Sequence, residues 1–133
     1  MSNPYYRTMN KRFLLLICLL TTPLWGAKSP DISIEELEQA IKDKRVAIID
    51  VNGATSFQNG HIPGAINFAA GKDNLKDSLP SSKDTLVVAY CGGPSCRAYQ
   101  RGIEAAAELG YINLKHLSAG ISGWKKAGKA ISK

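Results

Sequence analysis

The stretch Cys91-Gly92-Gly93-Pro94-Ser95-Cys96-Arg97 sets a thiol, two glycines, a proline and a guanidinium within seven residues. A thiol is a useful nucleophile only as its thiolate, and three neighbouring features favour that form at Cys91. Gly92 and Gly93 lack a Cβ, so successive backbone N–H groups can turn inward and form a concave nest for an anion. A helix expected to begin at Arg97 would point its positive end at the same spot, and Arg97 adds a full charge in its first turn. The chemistry expected is nucleophilic attack by Cys91 on a small anion, with the loop donors holding the anionic oxygens of a thiosulfate-like molecule or stabilising the anionic sulfur of a cysteine persulfide. The plainer alternative is a buried cysteine at a strand end, because free cysteines are among the most buried residues. An inert site, however, has no need of two glycines, a proline and a helix start directly downstream.

Cys96 leaves several readings open. It could resolve an oxidised or persulfidated Cys91, closing a disulfide, or it could face the core. Bridging needs Cα atoms within about 7 Å, and a wide cradle loop works against that. Cys91, Cys96, His61 and His116 lack the spacing of a zinc motif, so no metal and no cofactor is expected. His61, in Gly-His-Ile-Pro-Gly, reads as a turn-fixing histidine sooner than a general base, and His116 on a strand reads as structural. Asp50 is a supporting residue that orients the loop or binds nearby backbone, and Trp124 packs the last helix on the core.

The elements that must position these residues can be read from periodicity. Ser33 and Glu36 form a capping box ahead of Ile34, Leu37, Ala40 and Ile41, predicting a helix over 34–42. Val46-Ala47-Ile48-Ile49-Asp50-Val51 and Thr85-Leu86-Val87-Val88-Ala89-Tyr90 are apolar on both faces, as parallel strands covered on both sides require. Residues 52–64 read as a long turn-rich connection, 65–68 as a short strand and 74–79 as a short helix. Residues 97–109 read as an alanine-rich helix closed by Gly110, 113–117 as a strand and 121–126 as a last helix. This alternation predicts an α/β fold, an open and mostly parallel sheet with helices on both faces. Such sheets bind ligands beyond the carboxyl ends of their strands, where both Asp50 and Cys91 fall.

The chain has 133 residues, 44% of them hydrophobic and 21% charged, a composition that suits a globular body and not a disordered one. Residues 1–27 have the layout of an export signal: Arg7, Lys11 and Arg12 precede an apolar run from Phe13 to Leu20, and Gly26 and Ala27 offer small residues for cleavage. The remaining 28–133 are the size of one domain. This predicts an exported protein, periplasmic or secreted, that meets a membrane only through the signal segment if that stays uncleaved. The formal charge of +6 for 17 basic and 11 acidic residues then falls, because losing Arg7, Lys11 and Arg12 leaves 14 basic against 11 acidic, a balance of +3. Lys125, Lys126, Lys129 and Lys133 make a basic stretch without interleaved aromatics beyond Trp124, which argues against nucleic acid as a partner. With Cys18 inside the signal, only Cys91 and Cys96 remain, too few for a disulfide-held scaffold. The pair therefore reads as a site.

Three ordered motifs carry a resemblance to a known family. Ile49-Asp50-Val51 with Phe57-Gln58-Asn59-Gly60-His61-Ile62-Pro63-Gly64-Ala65-Ile66-Asn67 resembles the opening signature of the rhodanese-like single-domain sulfurtransferases. Tyr90-Cys91-Gly92-Gly93-Pro94-Ser95-Cys96 resembles their active-site loop, and Leu117-Ser118-Ala119-Gly120-Ile121-Ser122-Gly123-Trp124 their closing signature. The resemblance spans nearly all of 31–128. It implies a persulfide-forming Cys91, an anion site built from Gly92, Gly93, Pro94, Ser95, Cys96 and Arg97, and sulfur transfer from thiosulfate or a similar donor to cyanide, a thiol acceptor or a reductant protein. Asn52 stands where members often carry arginine, Thr55 and Ser56 replace common acidic residues, and Cys96 replaces a basic or hydroxyl residue. Two competing functions fit some of the same residues. Cys91-x5-Arg97 is the spacing used by cysteine-dependent phosphatases and some arsenate reductases, although Tyr90 stands where those phosphatases place histidine. A binding module that kept the fold without turnover is the third reading, and retention of Cys91 argues against it.

Overall fold

The computed structural model describes residues 29–133, and the expected export segment with its Cys18 lies outside them. Four strands, β1 (Val46–Asp50), β2 (Ala65–Asn67), β3 (Leu86–Tyr90) and β4 (Leu114–Leu117), form one all-parallel sheet in the order β2-β1-β3-β4. Five α-helices accompany it: α1 (Ile34–Lys42), α2 (Ala54–Asn59), α3 (Lys72–Ser78), α4 (Tyr99–Glu108) and α5 (Gly120–Lys126). No helix among the described residues is long and apolar enough to cross a membrane.

The central pair β1 and β3 is buried on both faces because its side chains alternate. Ala47, Ile49, Val87 and Ala89 pack with Leu75 of α3 and with Ala105 and Ala106 of α4. Ile48, Val88 and Tyr90 turn the other way and pack with Leu37 of α1 and with Ile121 and Trp124 of α5. Each fully buried aliphatic side chain contributes about 1.5–3 kcal/mol, so the two layers fix the sheet from both sides. Helix α1 starts at the capping box read from sequence, with the Glu36 N–H donating to Ser33 Oγ at 3.1 Å and the Ser33 N–H to Glu36 Oε2 at 3.0 Å.

The short helix expected over 74–79 is α3, which starts at Lys72, the strand expected over 65–68 ends at Asn67, and two further differences from the reading of the sequence bear on the site. The turn-rich connection contains α2, which has no buried residue and therefore no apolar period to betray it. Helix α4 begins at Tyr99 and not Arg97, because the Cys96 N–H turns back to the Gly93 carbonyl at 3.0 Å and that turn must close before helical bonding can start.

Candidate active site

Cys91 follows the last residue of β3 directly and is 2% exposed. Asp50 ends the neighbouring β1 and is in register with Tyr90. Both residues singled out at strand ends therefore lie at the carboxyl edge of the sheet. A hollow of about 680 Å³, lined by Lys44, Arg45, Val46, Asp84 and Thr85 among others, opens at the opposite edge.

The loop after Cys91 is held from outside by α5. The Ile121 N–H donates to the Cys91 carbonyl at 2.9 Å and the Ser122 N–H to the Gly92 carbonyl at 3.0 Å. These are first-turn amides of a helix, which have no acceptor within their own helix, so loop and helix satisfy each other. Gly120 allows the approach: with φ +60°, a Cβ there would stand 2.6 Å from Cys91 O and 2.6 Å from Gly93 N. The sequence groups Gly120 to Ser122 in one motif but does not disclose this clamp; the paired glycines at 120 and 123 are the available signal.

Of the loop amides expected to bind an anion, Pro94 has none to give and the Cys96 N–H is committed to Gly93 O. Among the described residues, the N–H groups of Gly92, Gly93, Ser95 and Arg97 donate to no backbone carbonyl. Arg97 itself is exposed, sits on the loop ahead of α4, and makes no ion pair among the described residues. Cys96 is half-buried, and its Cα lies 6.3 Å from that of Cys91, with the two sulfurs joined in a disulfide. The loop is therefore tighter than a wide cradle, and bridging is within reach after all.

Asp50, 1% exposed, does not touch Cys91 through any hydrogen bond. Its Oδ1 accepts from the Asn52 N–H at 2.8 Å and from Asn52 Nδ2 at 2.9 Å, and its Oδ2 accepts from the Tyr90 hydroxyl at 2.6 Å. The same hydroxyl accepts from the Ile62 N–H at 3.0 Å. Burial, followed by the hydrogen bond to Asp50 and its charge, pushes the Tyr90 pKa well above the ordinary 10.0, with Ile62 pulling weakly the other way. Asp50 thus anchors the strand edge under the loop, and Asn52 carries that anchor toward Gly92, where a Cβ would lie 3.7 Å from Asn52 Oδ1.

The two histidines are engaged elsewhere. His61 Nδ1 lies 2.8 Å from Phe57 O, its ring stacks on Phe57 at 3.7 Å, and its backbone pairs with Ser132. His116 stacks on Tyr99 at 4.2 Å and its Nδ1 meets Ser29 Oγ at 3.0 Å. Trp124 is 2% exposed and donates Nε1–H to Ala130 O at 2.8 Å.

The fold and the site together define a parallel α/β domain with a cysteine-bearing loop clamped at the carboxyl edge of its sheet. The chain belongs to the rhodanese-like family, whose domain model matches residues 33–127. Thiosulfate sulfurtransferase GlpE from Shewanella oneidensis is 31% identical over 99 residues, covering 72% of this chain and 92% of the relative. Arsenate reductase 2.2 from Oryza sativa is 28% identical over 113 residues, covering 75% and 85%. Against an HTH-type transcriptional regulator from Mycobacterium tuberculosis, 29% identical over 116 residues, 86% of this chain matches but it spans only 50% of the relative's length. Among solved structures, the rhodanese-like domain of the Anabaena Alr3790 protein matches with a TM-score of 0.60 at 20% identity, covering 78% of this chain and 79% of that one. That likeness is one of fold.

Proposed function

We propose that this protein is an exported sulfurtransferase that moves sulfane sulfur through a persulfide on Cys91, taking it from thiosulfate or a similar donor and passing it to a thiol or to cyanide. The observation that carries the reading is the position of Cys91: a nearly buried cysteine at the carboxyl edge, opening a loop with four N–H groups that have no backbone acceptor among the described residues and with the Cys91 and Gly92 carbonyls tied to α5. In this reading those amides turn toward the sulfur in the reduced protein, where such donors favour a thiolate over a thiol. In the reduced protein the Cys91 thiolate attacks the outer sulfur of thiosulfate. The sulfur–sulfur bond of the donor breaks, sulfite leaves with the electron pair, and the outer sulfur stays on Cys91 as an anionic persulfide. An acceptor thiolate or cyanide then attacks that outer sulfur and restores the Cys91 thiolate. Export rests on the basic flank and apolar run before residue 28.

The test is intact mass after mixing the reduced protein with thiosulfate. The wild type is expected to gain one sulfur atom or to release one sulfite per chain, and Cys91→Ser to do neither; identical behaviour of the two proteins would sink the proposal. A second reading, arsenate reduction or phosphate-ester hydrolysis, is favoured by the Cys91-x5-Arg97 spacing and the rice relative. It requires Arg97 to turn in over a bound oxyanion, and predicts turnover of arsenate or a phenyl phosphate that Arg97→Gln abolishes.

A further inference from the structure

Cys96 is not needed for either half of the transfer just described, yet its sulfur meets that of Cys91 with Cα atoms 6.3 Å apart, inside the span a disulfide requires, about 4.4–6.8 Å. A bridge across so few residues is a poor staple, because disulfide stabilisation grows with the length of the loop closed. The loop is in any case already fixed by the amides of Ile121 and Ser122 and by the turn from Cys96 to Gly93. The pairing therefore calls for a chemical reason. The two residues also differ in access: Cys91 is 2% exposed, whereas Cys96 is half-buried.

We propose that Cys96 is a resolving thiol, which attacks the Cys91 sulfur of the persulfide, expels the outer sulfur as hydrosulfide and closes the Cys91–Cys96 disulfide. This rests on the sulfur-transfer reading above. The Cys96 thiol passes its proton to the anionic outer sulfur and attacks the inner sulfur, a new bond forms between the two cysteines, and the bond between the inner and outer sulfurs breaks. The outer sulfur takes the electron pair and leaves as HS⁻. One sulfane sulfur is reduced to sulfide while two cysteines are oxidised to a disulfide, so the electrons balance. Resetting the site takes two electrons from a dithiol, which attacks the sulfur of the more accessible residue, Cys96, and releases Cys91 as thiolate. Over a full cycle thiosulfate and a dithiol yield sulfite, hydrosulfide and a disulfide. The protein would then act as a dithiol-driven source of sulfide, with the bridged form as its resting state between turnovers.

The experiment compares the fully reduced, desalted wild type with Cys96→Ser and Cys96→Ala, each mixed with thiosulfate without oxygen or added reductant. Sulfite, sulfide and intact mass are followed together. The wild type is expected to release one sulfite and one sulfide per chain and to end two hydrogens lighter than the reduced protein; adding dithiothreitol then makes sulfide release continuous. Both variants should release sulfite, keep the added sulfur on Cys91 and give no sulfide burst. A wild type that retains the persulfide, or a variant that releases sulfide as fast as the wild type, overturns the inference and leaves sulfur transfer standing. No sulfite and no added sulfur in any of the three proteins overturns sulfur transfer itself, and the resolving role with it.

Discussion

Gly120 lies so close to the thiol loop that a Cβ built on it would stand 2.6 Å from the Cys91 carbonyl oxygen. The contact is with backbone on both sides, so no side chain can swing away to relieve it. Gly120→Ala adds the cost of a left-handed residue, about 1–2 kcal/mol, and then forces the loop away from the α5 amides that hold it. A misplacement of about 1 Å at a reacting group costs on the order of 100-fold in rate. The expected outcome is a loss of that size in persulfide formation with the fold retained by circular dichroism. Gly128→Ala is the control, since Gly128 has φ +71° but nothing within 4 Å of where the new methyl would stand; it should lose stability and keep the rate.

The Tyr90 hydroxyl serves two buried partners, Asp50 Oδ2 and the Ile62 N–H. Tyr90→Phe orphans both, and each orphaned buried group costs roughly 1–3 kcal/mol, so chemical denaturation should show a loss of that order per group. The same pair gives a signed pH dependence. The folded-state pKa of Tyr90 is raised above its ordinary 10.0, so the unfolded chain loses this proton first as pH rises. The stabilisation is full below about pH 10 and is lost progressively above it. Unfolding midpoints measured from about pH 8 to about pH 11.5, a range that brackets the ordinary tyrosine value, should fall at the alkaline end in the wild type, and the slope should be shallower in Tyr90→Phe.

Much of this arrangement is legible in the sequence because the central strands are short, apolar and β-branched, and because a cysteine at a strand end before two glycines has few uses. The sheet edge, Cys91 and Asp50 follow from periodicity. What stays hidden depends on contacts between segments far apart in the chain. The Ile121 and Ser122 amides that hold the loop come from well downstream of it, beyond β4, and nothing local to Gly120 announces its partner. Helix α2 escapes a reading by apolar period because it buries none of its residues. Propensity starts α4 two residues early, since it does not register a turn bond from Cys96 back to Gly93.

Arg97 separates the two chemistries by the size of its effect. It is exposed and without an ion pair among the described residues, so in sulfur transfer its charge acts through solvent. A unit charge pair at about 4 Å in water is worth about 1 kcal/mol, and tenfold in an equilibrium corresponds to about 1.4 kcal/mol. Thiosulfate carries two negative charges, so Arg97→Gln should raise its KM by no more than about 30-fold with kcat nearly unchanged. The difference should vanish near about 1 M salt, where the screening length is about 3 Å. A collapse of kcat instead would mean that the guanidinium closes on the bound oxyanion.

Gly102 sets how closely α4 lies on the sheet, and so where the loop that precedes the helix must end. A Cβ there would lie 3.1 Å from Ala89 Cβ, 3.1 Å from Val51 Cγ2 and 3.2 Å from Ile49 Cγ2. Alanine in a helix interior ordinarily gains roughly 0.5–1 kcal/mol over glycine. Here the three facing atoms are the Ala89 Cβ and the branch methyls of Ile49 and Val51, on or directly after the central strands and unable to yield without moving the sheet, and overpacking of this kind costs typically about 1–3 kcal/mol. The second effect is the larger, so Gly102→Ala should destabilise the protein despite its better helix propensity. Because relief comes from lifting α4 at its loop end, the rate of persulfide formation on Cys91 should fall along with the melting temperature. Stability raised by the substitution, with the rate intact, would show that α4 is free to shift without disturbing the thiol.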